Sequence, residues 1–198
     1  MKRWTMGLAL AAFLGVSGGK ALAADDPKNL VEAKYAEIQT VVAKNPEKAA
    51  MQKGIRDVME TFVDYRELGK RTLSDKWDGM KKKEQDEFVA DFKKMIQRTY
   101  VKRFNPNKEV KIEYKGSKLS EKDGTSTVLS VVHSGRSEAR VDYRFHKREA
   151  AWWAFDVVID DVSMVQNYRK QFHDIWVKVG YEGLMAKIRK KNVAAGDQ

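Results

Sequence analysis

Residues 140–171 contain two segments in which apolar and polar residues alternate, and an amphipathic helix follows them directly. This order of elements limits the possible folds more than any other feature of the chain. In the first segment Val141, Tyr143 and Phe145 alternate with polar residues, which is the period of a strand with one face in the core and one in water. The second segment repeats this period after a short turn, and its apolar members are Trp153, Phe155, Val157 and Ile159. The pattern predicts a large apolar wall without a catalytic residue, which favours the binding of bulky apolar material over chemistry.

Two further strands precede this pair. Apolar and polar residues alternate from Val110 to Lys115, as in a strand, and residues 128–132 form a mainly apolar run that predicts another strand. The sequence Glu-Lys-Asp-Gly at 121–124 and the glycine at Gly135 supply turns between the strands. We therefore predict a four-stranded antiparallel meander.

Helical periodicity dominates the rest of the chain. The helices predicted before the strands cover residues 27–44, 46–58, 64–73, 74–79 and 86–104. After the strands, Ser163 is suited to cap a helix, and Gly180 and Gly183 bracket a last short one. About six or seven helices beside one sheet predict a single α+β domain over residues 24–198, with 192–198 frayed.

The N-terminus has the layout of a secretory signal peptide. Lys2 and Arg3 precede an apolar run over residues 6–16, and Ala21-Leu22-Ala23 then predicts cleavage after Ala23. The run is too short for a membrane-spanning helix, which needs about 20 apolar residues. No cysteine follows the cleavage site, so a lipoprotein anchor is not expected. We predict a soluble mature protein of about 175 residues outside the cytoplasm, most simply in a bacterial periplasm.

Composition limits the partners of the mature protein. The chain has no cysteine, so it can form neither a disulfide framework nor a thiolate metal site. Without the three basic residues of the signal peptide, 35 Lys and Arg face 28 Asp and Glu, which gives a net charge of about +7. This excess suits an anionic partner, and for an exported protein a membrane surface or lipid phosphates fit better than nucleic acid.

Candidates for catalysis are few. The histidines lie in separate predicted elements and lack the i, i+4 spacing of a zinc helix; they are His133, His146 and His173. Asp156, Asp160 and Asp161 could form a cation site or an acid/base pair, but carboxylates at strand ends more often cap turns and helix N-termini. The chain lacks a phosphate-binding glycine loop and the motifs G-x-S-x-G and H-E-x-x-H. We predict no catalytic residue, no metal and no cofactor.

Three basic runs lie on predicted helices, at residues 81–83, 93–94 and 189–191. They could bind phosphates or touch a membrane surface transiently, although such runs are more often solvated helix faces. Aromatic and basic residues also alternate at 143–146, as in proteins that stack single-stranded nucleic acid. The export signal argues against that partner, and we predict no nucleic-acid binding.

Two blocks of sequence resemble the MlaC family, also called the toluene-tolerance family. The first reads F-V-D-Y-R-E-L-G-K-R-T-L-S-D-K-W at residues 62–77 and continues as E-Q-D-E-F-V-A-D-F-K-K-M-I-Q-R-T-Y at 84–100. The second reads W-A-F-D-V-V-I-D-D-V-S-M-V-Q-N-Y-R-K-Q-F at 153–172. Similar spacing covers nearly all of the mature chain. Ser74 and Asp161 stand where members often have glycine, which predicts slight local differences in the backbone.

This resemblance implies a function. Members of the family are periplasmic phospholipid-carrying components of ABC-type lipid transport systems, which serve outer-membrane lipid asymmetry. A twisted four-stranded antiparallel sheet with helices on one face is implied, with acyl chains in a hydrophobic cavity between them and the head group near its mouth. The implied partners are phospholipid, an inner-membrane ABC complex with an MCE-domain subunit, and an outer-membrane lipoprotein complex.

The residues predicted to line that cavity come from the long helical stripe, the strands and the last amphipathic helix. They are Phe92, Ile96, Tyr100, Val128, Val132, Val141, Tyr143, Phe145, Trp153, Phe155, Val157, Val165, Tyr168 and Phe172. An apolar wall does not encode the shape of its ligand, so a carrier of a hopanoid or other polycyclic lipid is a second hypothesis. A third is a small enzyme on a cone-shaped α+β fold that uses Asp156 or Asp160 with His133.

Overall fold

Helices fill the first half of the chain, strands the second, and one long helix ends it. The computed structural model describes residues 26–102, 104 and 109–194. The helices are α1 (Pro27–Lys44), α2 (Lys48–Glu60), α3 (Tyr65–Leu73), a 3-10 helix (Ser74–Gly79), α4 (Lys82–Val101) and α5 (Met164–Ala194). The strands are β1 (Lys111–Leu119), β2 (Ser126–Ser134), β3 (Ser137–Arg148), β4 (Ala151–Ile159) and β5 (Val162–Ser163). The signal peptide predicted for residues 1–23 and the last four residues lie outside the described ranges.

The α+β class is confirmed, but the predicted element counts were wrong. The described residues form one antiparallel sheet in the order β1-β2-β3-β4-β5, with five strands where four were predicted. The additional strand is the two-residue β5, in which Val162 pairs with Ile159. Over the same ranges there are five α-helices, compared with the six or seven helices predicted, and residues 74–79 form a 3-10 helix. Two predicted pieces are joined in α5, which is interrupted at Gly180 by a positive φ of 65°.

A bulge in β4 changes which residues share a face of the sheet. Tyr143 pairs with Val157 and Phe145 with Ala154, so β4 has one residue more than β3 between these pairs. Residues directly opposite each other lie on the same face, and the extra residue reverses the alternation along β4. Val157 therefore lies with Tyr143, whereas Trp153 pairs with His146 on the opposite face. The single wall predicted for the apolar residues of the second segment was wrong for this reason.

Three buried clusters hold the elements together. The helical cluster joins α3, the 3-10 helix, α4 and α5, and it consists of Tyr65, Leu68, Leu73, Trp77, Phe88, Phe92, Met95, Ile96, Val165, Tyr168, Phe172, Leu184, Met185 and Ile188. The sheet cluster packs Val31 of α1 against Val128, Phe145, Trp152 and Ala154. A third cluster joins α1, α2 and the end of α4, and it consists of Ile38, Met51, Ile55, Val58 and Val101. The sheet is thus covered by α1 at one end, while α4 and α5 form their own core.

Local signals explain where several elements begin and turn. Gly124 and Gly135 have φ values of 66° and 60°, as expected for the turns predicted there. The Ser163 Oγ accepts a hydrogen bond from the Gln166 N–H at 3.1 Å, in agreement with its predicted role as a cap of α5. Within the described ranges, no helix combines the length and hydropathy needed to cross a bilayer.

Candidate functional site

One face of the sheet is mostly apolar, and strand register defines its members. We call it the apolar face; its apolar members are Ile112, Tyr114, Val128, Val132, Val141, Tyr143, Phe145, Trp152, Ala154, Val157 and Ile159. The same register also places Ser117, Ser126, Ser130 and Lys147 on this face. At one end of this face, Val128 and Phe145 are 0% exposed under α1. At the other end, the side chains are only half-buried: Ile112, Val132, Val141, Val157 and Ile159. This open end is an apolar surface that the described residues do not fully cover.

Tyrosines lie at the boundary between the buried and open ends. Tyr143 stands between Val141 and Phe145 on β3, and burial, together with the nearby Tyr35, raises its pKa to about 12. Burial also raises the pKa of Tyr114 well above its ordinary value, with smaller contributions from Tyr143, Glu32 and Tyr35. Both hydroxyls are therefore protonated at neutral pH and can donate a hydrogen bond.

Asp156 belongs to the opposite face and fixes the start of α5. Its carboxylate is 2% exposed. It accepts hydrogen bonds from the Val165 N–H at 3.0 Å and the Ser163 hydroxyl at 2.6 Å, and the Arg144 guanidinium lies 3.2 Å away. These contacts occupy both carboxylate oxygens. The predicted capping role of this aspartate agrees with the geometry, and the residue has no open side toward a substrate.

The third hypothesis, a small enzyme, needs His133 together with Asp156 or Asp160, but the contacts of His133 and Asp160 are to other residues. His133, at the end of β2, lies 3.3 Å from Glu138 and 3.9 Å from Glu113. Asp160 accepts a hydrogen bond from the backbone N–H of Arg140 at 2.9 Å. Among residues 26–102, 104 and 109–194, no group of three or more histidine, aspartate or glutamate side chains is arranged to hold a metal ion.

Sequence reasoning missed an ionic cluster around Asp64. This buried carboxylate accepts from the Arg66 N–H at 3.0 Å and the Glu67 N–H at 2.9 Å, and so caps α3. His146 Nε2 and Arg148 Nη1 lie 3.2 and 3.3 Å from its other oxygen. An aspartate just before a helical pattern is a cap signal, but its pairing with residues more than 80 positions away leaves no local trace. The cluster ties β3 to the helical half of the protein.

The residues predicted to line a cavity separate into three groups. Six lie on the apolar face: Val128, Val132, Val141, Tyr143, Phe145 and Val157. Trp153 and Phe155 lie on the opposite face, where Arg148 stacks 3.7 Å from the Trp153 ring and Arg71 4.0 Å from the Phe155 ring. The other six belong to the helical cluster or pack against it: Phe92, Ile96, Tyr100, Val165, Tyr168 and Phe172. The structure does not bring these groups into one continuous wall, and their contact with a ligand stays a prediction.

A concavity separate from the apolar face lies between the end of α3 and α5. It encloses about 300 Å³, and Leu73, Phe172 and Trp176 supply its apolar walls. Arg169 lies at its edge and donates two hydrogen bonds to the Arg71 carbonyl, at 2.7 and 3.0 Å. Because Phe172 is shared with the helical cluster, this concavity reaches the aromatic core of the helices.

Each of the three basic runs contains a residue that pairs closely with a carboxylate. Lys82 lies 2.6 Å from Asp86, and Lys93 lies 2.6 Å from Glu60. Arg189 donates to Asp91 at 2.8 Å. These pairs are exposed, so each contributes little to stability. The geometry favours solvated helix faces over a dedicated phosphate site at these positions.

The fold and the site together define a class: a small α+β protein whose antiparallel sheet presents an apolar face that α1 covers at one end only. The chain belongs to the MlaC family, whose model, described as MlaC protein, matches residues 29–190. The family resemblance found in the sequence is thus confirmed. No curated protein matches the chain.

A solved structure of similar fold comes from Ralstonia solanacearum. It is described as a phospholipid-binding protein in complex with a phospholipid. The two structures superpose with a TM-score of 0.78 at 18% sequence identity, over 87% of this chain and 99% of the other. At this identity the likeness shows a shared fold.

Proposed function

We propose that this chain is a periplasmic carrier that holds the acyl chains of a phospholipid and moves the lipid between membrane-bound complexes. The proposal depends most on the open end of the apolar face, where Val132, Val141 and Val157 are only half-buried, whereas Val128 and Phe145 of the same face are 0% exposed. Membership of the MlaC family and the phospholipid bound to a protein of similar fold support it. We assign no catalytic step to the protein.

The free energies involved explain why such a carrier is needed. Each methylene removed from water contributes about 0.8 kcal/mol, so one sixteen-carbon chain contributes on the order of 12 kcal/mol. A free lipid therefore does not cross an aqueous compartment at a useful rate. The carrier competes with a bilayer, which buries the same chain equally well, so net transfer is close to neutral. Docking partners must then set the direction of transport.

The proposed partners are an inner-membrane ABC complex with an MCE-domain subunit and an outer-membrane lipoprotein complex. The mature net charge of about +7 favours acidic docking surfaces and anionic membranes over basic ones. Since the acyl chains supply the recognition, we expect loose selectivity for the head group.

Within this proposal, the apolar face is the first contact for the acyl chains. The aromatic residues of the helical cluster contact lipid only if the helices move apart, because Phe92 and Phe172 are 1% and 3% exposed and pack edge to face with ring centroids 5.3 Å apart. The open end of the sheet needs no such rearrangement. We therefore expect the predicted residues at the open end of the apolar face to contact the lipid before those of the helical cluster do.

The experiment is extraction of the mature protein, purified from the periplasmic fraction without detergent, with organic solvent, followed by mass spectrometry of the extract. The proposal predicts a two-chain phospholipid in stoichiometric amount. A polycyclic lipid in its place would assign the carrier another cargo. A protein that contains no lipid, and that turns over a small polar substrate in a way that Asp156→Asn abolishes, would contradict the proposal.

A further inference from the structure

A buried tyrosine hydroxyl lies on the apolar face. The Tyr114 Oη is buried and makes no hydrogen bond within the part of the chain that the structure describes. Its neighbours are already engaged: the Tyr35 hydroxyl donates to the Val110 carbonyl at 2.9 Å, and the Ser130 hydroxyl donates to the Val141 carbonyl at 2.6 Å. A buried hydroxyl without a partner is destabilising, so a ligand that brings an acceptor gains a hydrogen bond at little cost.

Strand register places this hydroxyl at the boundary between the buried end and the open end of the apolar face. Tyr114 pairs with Ser130, which lies between the fully buried Val128 and the half-buried Val132. Tyr143 pairs with Val128 and occupies the same boundary on the next strand. A ligand that lies along the face therefore meets apolar side chains first and phenolic donors where the open end passes into the buried end.

The charges around Tyr114 indicate which acceptor fits. Lys28 lies beside Tyr114, with its Nζ 6.0 Å from the ring, and Glu32 is close enough to help raise the pKa of this tyrosine. These two pair with each other at 2.7 Å, so no surplus positive charge is left for a phosphate. Both tyrosines are protonated donors, and a protonated donor beside balanced charges favours a neutral acceptor. In a two-chain lipid, the neutral acceptors next to the apolar chains are the ester carbonyl oxygens.

We propose that Tyr114, with Tyr143 beside it, donates a hydrogen bond to an ester carbonyl of the bound lipid, so that the protein prefers acyl esters to ethers of the same length. The inference rests on the proposed lipid-carrying function and adds a specificity-determining residue to it. Selectivity then comes from the linkage between chain and glycerol and not from the head group.

The test is a competition between two lipids that differ only in that linkage. Delipidated mature protein is incubated with vesicles of equimolar diacyl and dialkyl phosphatidylglycerol of equal chain length, re-isolated, and analysed by mass spectrometry. Wild-type protein should be enriched in the diacyl lipid by about three- to tenfold, the effect of one neutral hydrogen bond. Tyr114→Phe should carry a similar total amount of lipid at a ratio near one.

Tyr181→Phe is the matched control, because it removes one phenolic oxygen elsewhere, where the hydroxyl donates to the Glu84 carbonyl at 3.0 Å. It should keep the wild-type ratio. Delipidated Tyr114→Phe should melt at or above the wild-type temperature, since no bond is lost. A wild-type ratio of one, or an undiminished preference in Tyr114→Phe, would overturn the inference and leave the carrier function intact. Wild-type protein that takes up neither lipid would overturn the carrier function itself.

Discussion

Asp156 on β4 accepts a hydrogen bond from the backbone N–H of Val165 at 3.0 Å, and this contact fixes the first turn of α5 to the sheet. The same carboxylate holds Ser163 at 2.6 Å and Arg144 at 3.2 Å. One buried side chain thus joins strand, corner and helix. Asp156 directly precedes Val157, which lies on the apolar face, so its side chain lies on the opposite face, where it reaches the corner.

Replacing Asp156 should therefore destabilise the fold. Asp156→Ala leaves the Ser163 hydroxyl and the Val165 N–H without an acceptor, and we expect it to lower the free energy of unfolding by about 2–4 kcal/mol. Urea unfolding monitored by circular dichroism measures this. Asp57→Ala is the control: it breaks only an exposed pair with Lys53, and should change stability by less than about 0.5 kcal/mol. A loss for Asp156→Ala no larger than the control would show that the corner is held by other contacts.

Charge on the apolar face should abolish lipid loading. Val141→Arg or Tyr143→Asp places a charge where the acyl chains are proposed to lie, and we expect at least a tenfold fall in co-purified phospholipid. Arg140→Ala, on the opposite face, should retain most of it. Thermal unfolding of each variant checks that the protein is folded. Equal loading in all three proteins would show that the lipid does not use this face.

Ser74 is held in a backbone conformation that suits glycine. Its φ of 53° and ψ of −119° lie where a side chain is strained. Ser74→Gly should relieve that strain and raise the free energy of unfolding by about 1 kcal/mol, after part of the gain is lost to the greater freedom of glycine in the unfolded chain. Ser74→Ala, which keeps the strain, should give no gain. If the glycine variant is less stable than the alanine variant, the turn before Trp77 differs from the one described.

Tyr143 should make stability depend on pH in the alkaline range. Its pKa is raised from 10.0 to about 12, so between these values the folded state binds more protons than the unfolded state. Stability is then fully present below pH 10 and falls as the pH rises toward 12. Relative to Tyr143→Phe, the wild-type free energy of unfolding should fall by up to about 1.4 kcal/mol per pH unit in this window. Parallel urea-unfolding series from pH 8 to pH 11 measure the difference, and identical slopes would contradict the burial of this phenol.

Short-range patterns made much of the fold predictable. The helical stripe of α4, the glycine turns and the Ser163 cap depend on residues within a few positions of each other, and these signals are readable from sequence. The start of α4 was predicted at residue 86, but the helix begins at Lys82, because Glu84 accepts from the Lys81 N–H at 2.7 Å. The positive φ at Ser74 and Asp161 could be anticipated only from the family, in which glycine is common at both positions.

The candidate site was harder to predict, because the bulge in β4 has no sequence signal of its own. The run from Trp152 to Val158 is apolar at nearly every position. The alternation of a strand therefore fits this run whichever set of alternate residues faces the core, and the sequence does not decide between the two. The division of the aromatic residues between the apolar face and the helical cluster depends on how the two layers pack. That information lies in contacts distant in sequence, such as the bond between Asp64 and His146.

Photo-crosslinking from β2 shows whether phospholipid contacts the apolar face of the sheet. Val131 and Val132 are adjacent, identical and both half-buried, but they lie on opposite faces of the sheet, and Val132 belongs to the apolar face. A photoreactive residue is placed at either position, the protein is irradiated in the periplasm, and lipid adducts are identified by mass spectrometry. We expect a phospholipid adduct at position 132 and little or none at position 131. Adducts of equal yield at both positions, or at 131 alone, would contradict it.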